Sequence, residues 1–271
     1  MKFAQSSMVY FNYTLEYAIR ELGLLGYDGI EIWGGRPHMY RHDLDKEIDA
    51  LNEALDESGL TVCNFIPAQF RYPSLLCSLN EYVRRDSVAY IKTAMDNAIA
   101  IGAPSVSLCS GMLPWNQELP RGWENLRQSF REIHEYNKDK GLVMLIEPAH
   151  RFETNLILTI KDALRMITEL DVDDFGVLLD TGHCHLNGED FRTIIHACAE
   201  HLFHIHVDDN QGDMDAHLIP GDGTIDFNVL SRNLKQVGYQ GFVSVELGPK
   251  YIMEPRAACE RSLQELTRLF W

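Results

Sequence analysis

Two kinds of apolar pattern alternate along the chain. Short β-prone runs recur at Phe3–Val9, Gly29–Trp33, Thr61–Ile66, Ser105–Cys109, Val143–Glu147, Gly176–Asp180, Leu202–Val207 and Phe242–Leu247. Between them, apolar residues fall three and four apart over Leu15–Leu25, Leu44–Ser58, Glu81–Ile101, Trp123–Lys140, Ile160–Leu170, Phe191–Glu200, Asp226–Val237 and Pro255–Phe270. The first pattern predicts strands buried on both faces, and the second predicts amphipathic helices. Several strands are announced by a glycine just past the preceding helix, as in LGYDGIEI, KGLVML and VGYQGFVSV, where Gly suits a left-handed cap. Eight such alternations within 271 residues, with no linker, predict one α/β domain over 1–271, closed as a (β/α)8 TIM barrel.

The strand-to-helix connections after the second, third, fourth and seventh strands are long and rich in Gly, Pro, Asp and aromatics, whereas the helix-to-strand turns are short. In a barrel the long set forms the carboxyl-terminal rim, where this architecture carries its chemistry. Four strand runs end there on a residue able to bind a divalent metal: VMLIE at Glu147, FGVLLD at Asp180, HLFHIH at His206 and FVSVE at Glu246. The gaps are 33, 26 and 40 residues, which suggests one donor from each of several βα units. Three carboxylates and one imidazole suit Mn²⁺, Co²⁺, Mg²⁺ or Zn²⁺ with positions open to substrate oxygens.

A net charge of −16 argues against a surface that tracks nucleic-acid phosphates and favours a small polar substrate. The six cysteines include no CxxC pair and read as reduced thiols of a cytoplasmic protein, and no apolar run has the length of a membrane span. Trp33 and Trp115 are candidates for an apolar wall over a sugar face. Arg36 and His38 suit either a substrate tail or loop hydrogen bonding, and His204, in the strand that ends at His206, is expected to point away from the site as a structural residue. The PGDG stretch, Pro220 to Gly223, reads as a tight turn because it lacks the Lys of a phosphate loop.

The segments GYDGIEIWGGRPH, IEPAHRFET, LLDTGH, HIHVDDNQGDMDAHLIPGDG and VSVELG resemble the xylose isomerase-like barrel superfamily and, within it, the ketose 3-epimerase branch. The GYDGIEIWGGRPH and D-x-H-x-x-PG-[DE]-G blocks are particularly similar to the fructoselysine 3-epimerases. The resemblance implies that Glu147, Asp180, His206 and Glu246 hold one metal ion per subunit and that Glu147 and Glu246 are also the two acid/base groups. It implies substrate contacts from Glu153, His183, His217 and Trp33; at His217, in the D-x-H motif with Asp215, many sugar epimerases carry an arginine.

The chemistry implied is inversion of the carbon beside the ketone of a ketose or fructosamine-type sugar through a metal-stabilised enediolate. The superfamily offers aldose–ketose isomerisation and keto-inositol dehydration as alternatives. Apurinic endonucleases share the fold, but they need histidines closing the third and fourth strands, and none stands there. A small-molecule sugar is the expected partner, with no nucleic acid or membrane. Relatives also suggest a homo-oligomer, with Phe270 and Trp271 as candidate contact residues.

Overall fold

The computed structural model describes residues 1–69 and 74–270. Its elements run β1 (Lys2–Ser6), α1 (Leu15–Leu25), β2 (Gly29–Gly34), α2 (Ile48–Ser58), β3 (Thr61–Pro67), α3 (Glu81–Ala100), β4 (Ser105–Leu108), α4 (Leu119–Asn137), β5 (Val143–Ile146) and α5 (Ile160–Leu170). They continue with β6 (Phe175–Asp180), α6 (Thr181–Leu186), α7 (Phe191–Cys198), β7 (Leu202–Val207), α8 (Phe227–Gln236), β8 (Phe242–Val245) and α9 (Pro255–Phe270). The strands pair in parallel with their sequence neighbours and close when β1 meets β8. The barrel predicted from the alternation is the fold observed.

Local chemistry sets the helix boundaries. Thr14 and Asn80 cap α1 and α3 through their side chains, and Thr159 with Asp162 forms a reciprocal capping box on α5. Gly26, at φ 88°, ends α1 in the left-handed region. The apolar faces of α1, α5 and α9 pack outside the sheet: Ile19, Leu22, Ile167 and Leu266 are buried against strand residues such as Ile30, Ile32, Val177 and Val243. That outer layer fixes which residues of each strand must turn inward, because side chains alternate across a strand.

Several details differ from expectation. β1 stops at Ser6, whose hydroxyl accepts from Met8 N–H and starts a 3₁₀ turn over Ser7–Tyr10. α2 starts at Ile48, later than Leu44, whereas α4 starts earlier than Trp123, with a proline in its first turn. The short helix α6 follows β6 without a loop. Phe270 is not a surface contact residue: it is buried, edge-on to Phe3 with ring centres 6.2 Å apart. Trp271 lies outside the described residues. Among those described, no helix is long and apolar enough to cross a membrane, and all six cysteines are free thiols.

Candidate active site and metal centre

Asp180 is the last residue of β6 and His206 the next to last of β7. Glu147 and Glu246 stand one residue past β5 and β8, yet their N–H groups still donate to Leu108 and Val207 across the sheet, at 3.1 and 3.2 Å. The four side chains are buried, and one donor atom from each lies within 4.8 Å of the others. Asp180 divides its carboxylate: Oδ1 accepts the His183 N–H at 2.7 Å as the cap of α6, while Oδ2 is buried with no hydrogen-bond partner.

The His206 ring shows what the cluster lacks. Its Nε2 is 2.9 Å from Glu31 Oε1, and Glu31 is ionised: burial works against its charge, but His206 and His204 hold its pKa well below the usual carboxylate range. An ionised carboxylate only accepts, so Nε2 carries the hydrogen and Nδ1 the lone pair. That lone pair faces Glu147 Oε1 at 3.1 Å, Glu246 Oε2 at 3.1 Å and Asp180 Oδ2 at 3.7 Å. A lone pair ringed by carboxylate oxygens needs a positive charge among them, either a proton or a cation. Burial alone would lower the His206 pKa, but Glu31, Glu246 and Glu147 push it well above its ordinary value. The donor set, its spacing and the orphaned Asp180 oxygen all fit a divalent ion, with Glu31 fixing the ring behind the ligand atom.

Glu31 escaped the sequence reading. It lies inside the barrel just after a register shift in β2 and is held from all sides by Asn64 Nδ2 at 2.7 Å, Ser244 Oγ at 2.9 Å and His206. Asn64 is held in turn by Ser105 and Ser107. His204 corrects an expectation. Residues two apart on a strand share a face, so it points inward below His206, with Nε2 3.3 Å from Glu31 Oε1.

A second group of side chains adjoins the first. Glu153, His150, His183 and Asp215 each present an atom within 4.8 Å of the others, and Asp208, Asp215 and His217 do the same. Asp215 Oδ2 is the common point, 2.9 Å from His217 Nε2, 3.1 Å from His150 Nε2 and 3.7 Å from His183 Nε2. Burial works against the Asp215 charge, but these three histidines hold its pKa far below the usual range. Burial likewise opposes charge on His183 and His217; Asp180 and Asp215 raise the first, Asp208 and Asp215 the second. Glu153 is raised, chiefly by burial. No spacing along the chain marks His150, because only loop closure brings it to Asp215.

The remaining candidates belong to neither donor group. Trp33 sits at the rim, its ring 5.5 Å from Phe11 and edge-on to His38. His38 is buried with Nδ1 3.1 Å from Ser7 Oγ, and burial lowers its pKa to about 4; Arg36 is exposed and paired with Asp43 at 2.6 Å. Both therefore serve the loop. Trp115 is 86% exposed. The PGDG turn closes on an internal anion: Asp209 Oδ2 accepts from Gly221 and Gly223 at 2.9 and 2.8 Å, and Oδ1 accepts from Ile225 at 3.1 Å. A side chain at position 223 would place Cβ 2.2 Å from Asp209 Oδ1, so glycine is required there.

Comparison with known proteins finds relatives along nearly the whole chain. The family described as xylose isomerase-like TIM barrel matches residues 19–269. Fructoselysine 3-epimerase of Escherichia coli O157:H7 is 29% identical over 259 residues, covering 94% of this chain and 93% of that protein. Among solved structures, a D-tagatose 3-epimerase-like protein superposes with a TM-score of 0.82 at 25% identity over 99% of both chains. The IOLI protein with a bound zinc atom superposes with a TM-score of 0.86 at 19% identity, over 100% of this chain and 98% of that one, a likeness of fold.

Proposed function

The chain belongs to the xylose isomerase-like TIM barrel family, and from that premise we propose that it is a divalent-metal-dependent epimerase that inverts the carbon beside the ketone of a ketose or fructosamine-type sugar. It is a carbohydrate epimerase by its likeness to enzymes of that kind. The observation that carries the metal-dependent reading is the convergence of Glu147, Asp180, His206 and Glu246 on one buried point. A divalent ion held there supplies Lewis-acid polarisation of adjacent carbonyl and hydroxyl oxygens, which acidifies the carbon between them.

The protein's own groups do the rest. Glu147 turns Oε1 and Glu246 turns Oε2 toward the centre, so each keeps a second oxygen able to hold a proton. β5 and β8 stand three places apart in the ring, and their glutamates reach the centre from different sides. One removes the proton from one face of the sugar and the other returns a proton to the opposite face. The Cys109 thiol, whose pKa burial pushes well up, stays protonated 3.6 Å from Glu147 Oε2 and steadies that carboxylate. Glu153, His183, His217 and Trp33 form the substrate side of the site.

NMR of the product formed in D₂O tests the reading. Epimerisation places deuterium on the inverted carbon and leaves the carbonyl where it was; migration of the carbonyl, or loss of water from the sugar, would replace it with the isomerase or dehydratase alternative.

A further inference from the structure

We propose that the amino-terminal mouth of the barrel, at the opposite end of the strands from the metal centre, is a second small-molecule site that takes a phenol- or indole-sized aromatic carrying one O–H or N–H donor. A cavity of about 470 Å³ opens there between the starts of β7 and β8 and the turn that joins α8 to β8. Pockets that enclose small ligands measure about 300–1,000 Å³. Two irregularities in the sheet shape this one. Ile30 pairs with Val62 and Glu31 with Asn64, while Val177 pairs with Leu202 and Leu178 with His204. Cys63 and Phe203 are therefore extra residues in their strands, and both line the cavity.

His204 supplies the recognition. It stands in the wall of the cavity, 1% exposed, with Nε2 turned to Glu31 Oε1 at 3.3 Å. Glu31 is ionised and only accepts, so in the neutral ring Nε2 carries the hydrogen and Nδ1 the lone pair. Among the described residues no group hydrogen-bonds to Nδ1, and it is not sealed from solvent as Nε2 is. A buried acceptor beside a cavity, with no donor in the protein, takes its donor from whatever fills the space.

The walls set the rest of the ligand class. Leu202, Phe203, Val237, Tyr239 and Phe242 offer aliphatic and aromatic faces, and among the described residues no Asp, Glu, Lys or Arg lines the cavity. An ion would lose its hydration there without a partner, and a sugar would bring more hydroxyls than the walls can pair. The space is also held ready. The Tyr239 hydroxyl lies 2.8 Å from the Phe242 carbonyl and 3.1 Å from the Phe203 carbonyl, which ties the starts of β7 and β8 together at the mouth. A ring can enter without reordering those strands, so little of its binding is spent on closing the site.

Calorimetric titration of phenol into the full-length protein tests the site, and one saturable equivalent per chain is expected. Ala199→Trp, which fills the cavity from a half-buried position in its wall, should remove that equivalent. His204→Leu strands the phenol hydroxyl and should weaken phenol by about 5- to 100-fold, while toluene, of the same shape without the hydroxyl, keeps its affinity. Benzonitrile, which only accepts hydrogen bonds, should fail to displace phenol from the wild type. Circular dichroism of both variants reports folding, and the wild-type competition with benzonitrile stands whether or not they fold. No saturable phenol binding would overturn the proposal, leaving water as the partner of His204. Phenol binding that survives Ala199→Trp, equal losses of phenol and toluene in His204→Leu, or displacement by benzonitrile would overturn it as well. Because the readout is binding at the far end of the strands, its failure leaves the epimerase reading standing, and failure of that reading leaves the titration unchanged.

Discussion

The lumen of the barrel and its carboxyl-terminal rim are both polar and both buried, yet they treat carboxylate oxygens in opposite ways. In the lumen, Glu31 receives Asn64, Ser244 and His206, and Asn64 is itself held by Ser105 and Ser107. At the rim, Asp180 Oδ2 and Asp215 Oδ1 are buried without a hydrogen-bond partner, and His206 Nδ1 faces three carboxylates. Leaving a buried polar atom unpaired costs about 1–3 kcal/mol. A fold that completes one network and leaves the adjacent one short of positive charge has a support below and a receptor above.

That contrast can be attacked from either side. The largest effect is expected at the rim: Glu147→Gln and Glu246→Gln should each lower kcat by about 10²- to 10⁴-fold while the melting temperature of the metal-free protein holds or rises, because a like charge leaves the cluster. Unchanged turnover in either variant would break the two-base scheme. Next comes the join between the regions. Glu31→Gln removes the carboxylate that fixes the His206 ring and should weaken binding of the divalent ion by about 10- to 100-fold in chelator competition; equal affinity would mean that the lumen does not position the rim.

Asn64→Ala tests the lumen alone and should cost about 1–3 kcal/mol of stability, by the same amount with and without bound metal. A loss confined to the loaded protein would merge the two regions into one. The smallest signal is a proton. The His206 pKa is raised in the metal-free fold, so its charge contributes stability that is fully present below the unfolded value of about 6.5 and is lost as pH rises through the folded value. An entering ion must displace that proton, and its affinity should therefore tighten from pH 6 to pH 8. Calorimetry in buffers of different ionisation heat should report proton release on binding, and an affinity flat with pH would show that the lone pair was already free.

The barrel and the four converging residues were legible because each strand ends where its apolar run ends, and a single polar residue at that point has only the rim to face. Glu31 left a fainter trace. It is one acid between Ile30 and Ile32 in a strand buried on both faces, and such an acid must have partners inside the barrel. His204 departs from the outward placement expected of it because residues two apart on a strand share a face, which turns it inward with His206. His150 gave no signal at all, since its approach to Asp215 depends on two loops meeting and not on any spacing along the chain. The helix α6 is too short for periodicity to show, and its cap, Asp180, reads equally well as a ligand alone.

One consequence concerns how Asp215 and His217 arrive. The excursion that carries them leaves β7, yet Asp209 and Leu218 exchange both backbone hydrogen bonds across its base, and the Asp209 carboxylate is enclosed by amides from Gly221, Gly223 and Ile225. A segment stapled at its root in this way cannot swing like a flap. Entry and exit of a sugar must then be governed from elsewhere around the mouth, and loosening the staple, as Gly223→Ala would, should blur the placement of two side chains that never touch it.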